Sequence, residues 1–132
     1  MNIMTTTELF EAWAQACVKK DVDAIADLYA EDGVHTFAFR QGAPSFHGRE
    51  KIRQMLAEGF GQAPVNFTGI ADLVVHRTED PNTIVAEFAF EGQTHGGYPI
   101  RPTYIEIFTA RDGKIAAVRD YENLAYRAQS ES

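Results

Sequence analysis

Apolar residues recur every three to four positions through the first half of the chain and every second position through the second half. The first period belongs to helices and the second to half-buried strands. "TTTELFEAWAQACVKK" (5–20) opens with Thr5 three residues before Glu8, the signature of a capping box. Leu9, Trp13, Ala16 and Cys17 then form one helical stripe, which runs out at Lys20. "DVDAIADLYAED" (21–32) predicts a second helix. Asp21 is its N-cap, Ile25, Leu28 and Tyr29 share a face, and Gly33 ends it. "VHTFAF" (34–39) alternates as a strand with His35, Phe37 and Phe39 on one side. "RQGAPSF" reads as loop. "GREKIRQMLAEGF" (48–60) reads as a third helix with Ile52, Leu56 and Phe60 at four-residue spacing.

Beyond Pro64 the period changes to two. "VNFTGIADLVVHR" (65–77) is a strand in which Gly69 suggests a bulge or bend. "EDPN" turns the chain, and "TIVAEFAFEG" puts Ile84, Ala86, Phe88 and Phe90 on one face. Gly96, Gly97 and Pro99 interrupt before "TYIEIFTA". "RDGK" is then a hairpin signal leading into a last strand, "IAAVRDYENLAYR" (115–127). Three helices and one early strand followed by a four-strand meander describe an α+β domain, with the helices on one side of a curved sheet. The whole chain, 1–132, reads as one domain without repeats, low-complexity segments or linkers.

Composition narrows the function classes. The net charge of −7, with no basic cluster larger than Lys19–Lys20, argues against a nucleic-acid partner. The single cysteine, Cys17, has no internal disulfide partner and reads as a small buried hydrophobe. The N-terminal segment lacks the basic start and apolar core of a signal peptide, and no apolar run approaches the roughly 20 residues of a membrane span. These features predict a cytoplasmic protein with no membrane partner. No metal-ligand spacing of the H-x-x-x-H or C-x-x-C type occurs, and no Gly-rich loop opens a helix after a strand. No metal or nucleotide cofactor is expected. Ser45 lacks a nucleophile-elbow context. His76 and His95, near strand ends or loops, read as exposed, and His47 as a loop or capping residue before the third helix.

One position resists a purely structural reading. Asp120 interrupts the strand composition of "KIAAVRDYENLAYR", and an ionised carboxylate taken out of water is costly unless it is compensated. It either faces solvent beside Arg119 or is kept inside for chemistry. If it faces inward, Ala116 and Val118 do so too, and Arg119 and Tyr121 point out. The hairpin then brings Tyr104, Glu106 and Phe108 to the inner face, while the competing register puts Ile105 and Ile107 there. In the first register Glu106 and Asp120 share an aromatic pocket with His35. Burial and repulsion would raise at least one carboxyl pKa, which suits acid/base work. His35 reads equally as a hydrogen-bonded core residue. Trp13, Tyr29, Phe37, Phe88 and Phe90 read as core or cavity wall, with Tyr104 and Val118 beside them.

The order of elements resembles the nuclear transport factor 2-like fold, a cone-shaped α+β barrel. "DVDAIADLYAEDGVHTF" and "HGREKI" resemble segments of bacterial ketosteroid isomerases. "EDPNTIVAEF", "GYP", "DGKI" and "RDYEN" resemble the phenazine-biosynthesis A/B proteins and the SnoaL-like polyketide cyclases. "RDY" after "DGKI" is also similar to the strand of limonene epoxide hydrolase that carries its catalytic aspartate. The resemblance implies an acid/base role for Asp120 deep in the cone, assisted by Glu106 or His35. It also implies a homodimer formed through the outer sheet face around Ile105, Ile107, Arg119 and Tyr121. Tyr29 matches a tyrosine of the isomerase hydrogen-bond network. Trp13 and Phe37 stand where the isomerases place their oxyanion-hole tyrosine and aspartate base. Phe88 and Phe90 replace the arginine and aspartate of the epoxide hydrolase triad. Neither catalytic set is complete. Two expectations follow: a cofactor-free isomerase, cyclase or condensation enzyme acting on a small apolar carbonyl or imine compound, or a non-catalytic ligand- or protein-binding module of the same fold.

Overall fold

The computed structural model describes residues 3–126. Helix α1 (Thr6–Val18) starts on the expected capping box: the Thr5 hydroxyl accepts from Glu8 N at 3.1 Å, and the Glu8 carboxylate accepts from Thr5 N at 2.8 Å. Such a cap contributes about 1 kcal/mol. Its buried face carries Leu9, Phe10, Trp13, Ala14, Ala16 and Cys17, a wider band than the predicted stripe. Phe10 meets Phe108 edge-on at 5.3 Å and so pins the helix to the sheet.

Helix α2 (Val22–Asp27) is capped by Asp21, whose carboxylate accepts from Ala24 N. It is shorter than predicted. The chain leaves the helix at Leu28, and strand β1 (Tyr29–Phe37) begins five residues before Val34. Tyr29 is therefore a strand residue. Gly33 stops no helix; it lies in a register shift of β1, where a Cβ would come within 3.0 Å of the Ile115 carbonyl oxygen. Phe39 falls beyond the strand, so the expected alternation ends at Phe37. Phe39 is exposed and packs on Tyr121 at 5.0 Å between ring centroids.

A short strand β2 (Ser45–His47) pairs with β1 and leads into helix α3 (Arg49–Gln62). His47 is thus an exposed strand residue rather than a cap. Strands β3 (Val65–Arg77), β4 (Thr83–Thr94), β5 (Pro99–Ile100), β6 (Thr103–Arg111) and β7 (Lys114–Glu122) complete the fold. The sheet order is β2-β1-β7-β6-β4-β3, with β5 on β4. All pairs are antiparallel except β1–β7, which run parallel. The result is three helices against an open curved sheet of seven strands, mostly antiparallel.

Bulges curve this sheet. One separates Phe67 from Gly69, where the sequence pointed, and a second lies between Ala71 and Val74. A third, at Thr109/Ala110, spends Ala116 as the extra residue of β7. That corrects the inner set of the last strand: Ile115, Val118 and Asp120 face in, and Ala116 does not belong to the alternation. Arg111–Lys114 form the expected two-residue hairpin, with Asp112 and Gly113 both at positive φ. β7 ends at Glu122, short of the predicted 127, which lies outside the described residues. Among the described residues no helix is long and apolar enough to cross a membrane.

Candidate functional site

The register question is settled by the β6–β7 pairing, which places Glu106 directly opposite Asp120. Glu106 is 1% and Asp120 6% exposed, whereas Ile105 is 43% exposed on the other face. Both carboxyls line a cavity of about 300 Å³ between the sheet, α1 and α3. β1, the parallel neighbour of β7, aligns Phe37 with Asp120 and brings His35 (2% exposed) to the same inner surface.

These side chains form one hydrogen-bond chain that starts from a group able only to donate. The Trp13 indole can only donate, and its Nε1 reaches the Tyr29 hydroxyl oxygen at 3.2 Å. The Tyr29 O–H is then free to donate to His35 Nδ1, 2.8 Å away. With Nδ1 accepting, the His35 proton sits on Nε2 and is donated to Asp120 Oδ2 at 3.1 Å. Only one oxygen of Asp120 is occupied in this way. Asp120 Oδ1 and Glu106 Oε2 are buried without a hydrogen-bond partner in the protein.

Buried polar atoms in that condition are uncommon and expensive. Here they impose different protonation preferences on neighbouring groups. Burial first, and then the charge of Asp120, pushes the Glu106 carboxyl well above the ordinary carboxylate range. The Cys17 thiol, also on the cavity wall, is raised by burial and then by Glu106 and Asp120. The phenol of Tyr104 is raised by the same causes, burial leading and Asp120 next. Burial and the neighbouring carboxyls thus favour the protonated forms of Glu106, Cys17 and Tyr104.

The rest of the wall is aromatic. Phe67 stacks on Phe90 at 4.8 Å, and Phe90 meets Tyr104 at 5.4 Å and Trp13 at 6.4 Å. Trp13, Phe37, Phe90 and Tyr104 line the cavity. Tyr29, Phe88 and Val118 do not: Tyr29 is fully buried behind His35, and the other two sit in the core beneath the floor.

Several lining residues escaped the sequence reading. Met55, Leu56 and Phe60 come from the inner face of α3, of which the apolar spacing had marked Leu56 and Phe60 without giving them a role. Glu122, two residues past Asp120 on the same strand, follows from simple alternation. Arg40 comes from the loop after β1 and carried no signal. It lies 3.7 Å over the Phe37 ring and pairs with Glu122 through Nε and Nη2. The remaining histidines stand apart from the cavity lining: His76 is exposed and paired with Glu87, and His95 is exposed. Among the described residues no group of three or more His, Cys, Asp or Glu side chains is placed to hold a metal ion.

Residues 8–118 match the SnoaL-like domain family, and the chain belongs to it, within the nuclear transport factor 2-like superfamily. The uncharacterised protein YesE of Bacillus subtilis is 30% identical over 109 residues, covering 80% of this chain and 73% of that protein. A crystal structure from Bacillus subtilis carrying a provisional isomerase name superposes with a TM-score of 0.77 at 27% identity, covering 89% and 86% of the two chains. A Pseudomonas putida protein with a provisional polyketide cyclase name gives 0.72 at 29%, covering 92% and 93%. This is a family of isomerase- and cyclase-type proteins.

Proposed function

We propose that the protein is a cofactor-free acid/base enzyme acting on a small, largely apolar molecule next to a carbonyl or imine carbon. The reading is carried by one observation: two opposed, buried carboxyls each keep an oxygen unpartnered at the cavity. Asp120 Oδ1 takes a proton from the carbon beside the carbonyl. The electron pair of the broken C–H bond becomes a C=C bond, and the carbonyl oxygen receives the proton that Glu106 holds. An enol results. Return of the Asp120 proton to another carbon, as the enol O–H gives its proton back to Glu106, completes an isomerisation. Attack of the enol on a second carbonyl closes a ring, the new alkoxide taking the Asp120 proton as the enol O–H reprotonates Glu106. A neutral acid aimed at the developing oxyanion, within apolar walls, is worth far more than the same group in water. His35 orients Asp120 and does not itself touch the reacting atoms.

The test is hydrogen–deuterium exchange beside the carbonyl of a panel of monocyclic ketones, followed by NMR. The wild type should accelerate exchange of at least one, and Asp120→Asn should slow it at least about 100-fold. An unchanged rate in the variant removes Asp120 from the mechanism. If the wild type accelerates none while still binding them, the non-catalytic binding reading replaces this one.

For the assembly we propose a homodimer through the outer sheet face. Phe39, Ile105 and Leu124 are exposed there beside Tyr121, whose hydroxyl accepts from the Arg119 guanidinium. Contiguous exposed apolar surface of this kind marks interaction sites. Sedimentation at micromolar concentration should give a dimer, and a monomer would overturn the proposal.

A further inference from the structure

We propose that the cavity selects a small organic ammonium ion over a neutral or anionic molecule of the same shape. The inference rests on the reading of Asp120 and Glu106 as cavity-facing groups given above, and it names the charge of the ligand they take.

The charge balance of the wall carries the argument. Three carboxylic side chains, Glu106, Asp120 and Glu122, line the cavity against two basic ones, Arg40 and His35, and no lysine. Arg40 is already committed, stacked on Phe37 and paired with Glu122. His35 is committed too, with Nε2 on Asp120 and Nδ1 on Tyr29, so neither basic side chain is left over for an anionic ligand. At the floor, His35 supplies a single N–H to Asp120, so Asp120 Oδ1 and Glu106 Oε2 are left over. A carboxylate ligand would set a second negative charge beside that of Asp120. An ammonium group carries several N–H donors on one nitrogen and satisfies both oxygens at once. The faces of Trp13, Phe90 and Tyr104 surround the same space, and aromatic faces attract cations most strongly where water is excluded. The net charge of −7 also draws cations from solution.

Binding has a proton signature. The titratable groups around Glu106 are Asp120 and Glu122 on β7, His35 and Tyr29 on β1, Cys17 on α1 and Tyr104 on its own strand, with Arg40 at the mouth. α3 contributes only apolar side chains, Met55, Leu56 and Phe60. Burial first, and then the charge of Asp120, keeps a proton on the free Glu106. An arriving ammonium ion reverses that preference: the Glu106 O–H bond breaks, its proton passes to the buffer, and the carboxylate pairs with the ligand. A bound cation thus silences the acid that a neutral ketone would use.

Trp13, the single tryptophan, lies on the cavity wall and reports occupancy by its fluorescence. Benzylammonium, benzyl alcohol and benzoate are titrated at about pH 6, far below the range of an alkylammonium group. Calorimetry in two buffers of different protonation enthalpy counts the protons. Benzylammonium should bind at least about tenfold tighter than benzyl alcohol, and benzoate more weakly than either. About one proton should be released, and Glu106→Gln should abolish that release. Equal or tighter binding of the alcohol or of benzoate, binding of the cation without proton release, or no binding of any of the three overturns the proposal. The wild-type comparison stands even if the variant does not fold. Ketone exchange without cation preference sinks this inference alone, and cation preference without exchange sinks the enzymatic reading alone.

Discussion

His35 bridges two buried groups, Nε2 lying 3.1 Å from Asp120 Oδ2 and Nδ1 2.8 Å from the Tyr29 hydroxyl, so one ring is held from α1 through β1 to β7. The carboxylate is oriented by a chain whose far end is an indole that can only donate.

Tyr29→Phe tests that chain. The change deletes one hydroxyl and leaves the Trp13 N–H and His35 Nδ1 buried without partners. The fold should lose about 1–3 kcal/mol, the cost of unpaired buried polar groups. Urea unfolding at constant slope measures it. A midpoint equal to that of wild type would show that the chain contributes nothing to stability.

Glu106 makes stability depend on pH. Its folded-state pKa is raised, so the native protein holds a proton that the unfolded chain has released. That contribution is fully present below the unfolded value, near the ordinary glutamate range, and is lost as pH rises toward the folded value. Glu106→Gln cannot lose a proton. The stability of the variant relative to wild type should therefore climb from about pH 4 to about pH 8. Chemical denaturation at the two ends decides it, and a difference that stays constant would place the Glu106 pKa at its ordinary value.

Two glycines should respond oppositely to alanine. A Cβ at Gly92 would lie 2.1 Å from the Asn66 carbonyl oxygen and 2.8 Å from Phe67 Cα, both backbone atoms of the neighbouring strand. Gly92→Ala should cost about 1–3 kcal/mol or more, as overpacking does. Gly61 lies in α3 with open space around it, so Gly61→Ala should stabilise by about 0.5–1 kcal/mol. Thermal melts rank the three proteins, and a Gly92→Ala variant melting with wild type would show that β3 and β4 can part without penalty.

The inner faces of β4, β6 and β7 were legible because one solvent face and one core face leave a period-two trace. The capping box at Thr5, the Asp21 cap and the Arg111–Lys114 hairpin were legible because they are local. Misreadings arose where local signals conflicted with tertiary demands. "DLYAEDG" looks helical, yet Tyr29 to Asp32 are taken into β1 by pairing with a strand more than eighty positions away. Ala116 fits the alternation on paper and is displaced by a bulge that no residue type announces. In the site, Asp120 drew notice as a charge in an apolar strand. Arg40 did not, because a loop arginine looks the same whether it caps a cavity or faces water.

The β1–β7 ladder has a kinetic consequence. His35 and Asp120 are 85 residues apart in sequence, and the parallel pairing that joins them is the longest closure in the sheet. Helix caps and the Arg111–Lys114 hairpin can form within short stretches of chain, but that ladder requires a large loop to close before any contact rewards it. Folding of this protein should thus be slow for its helical content. The completed hydrogen-bond chain is then a late marker of the native state. Glu106 and Asp120 meet within the β6–β7 hairpin, but His35 reaches Asp120 only when the first strand and the last have met.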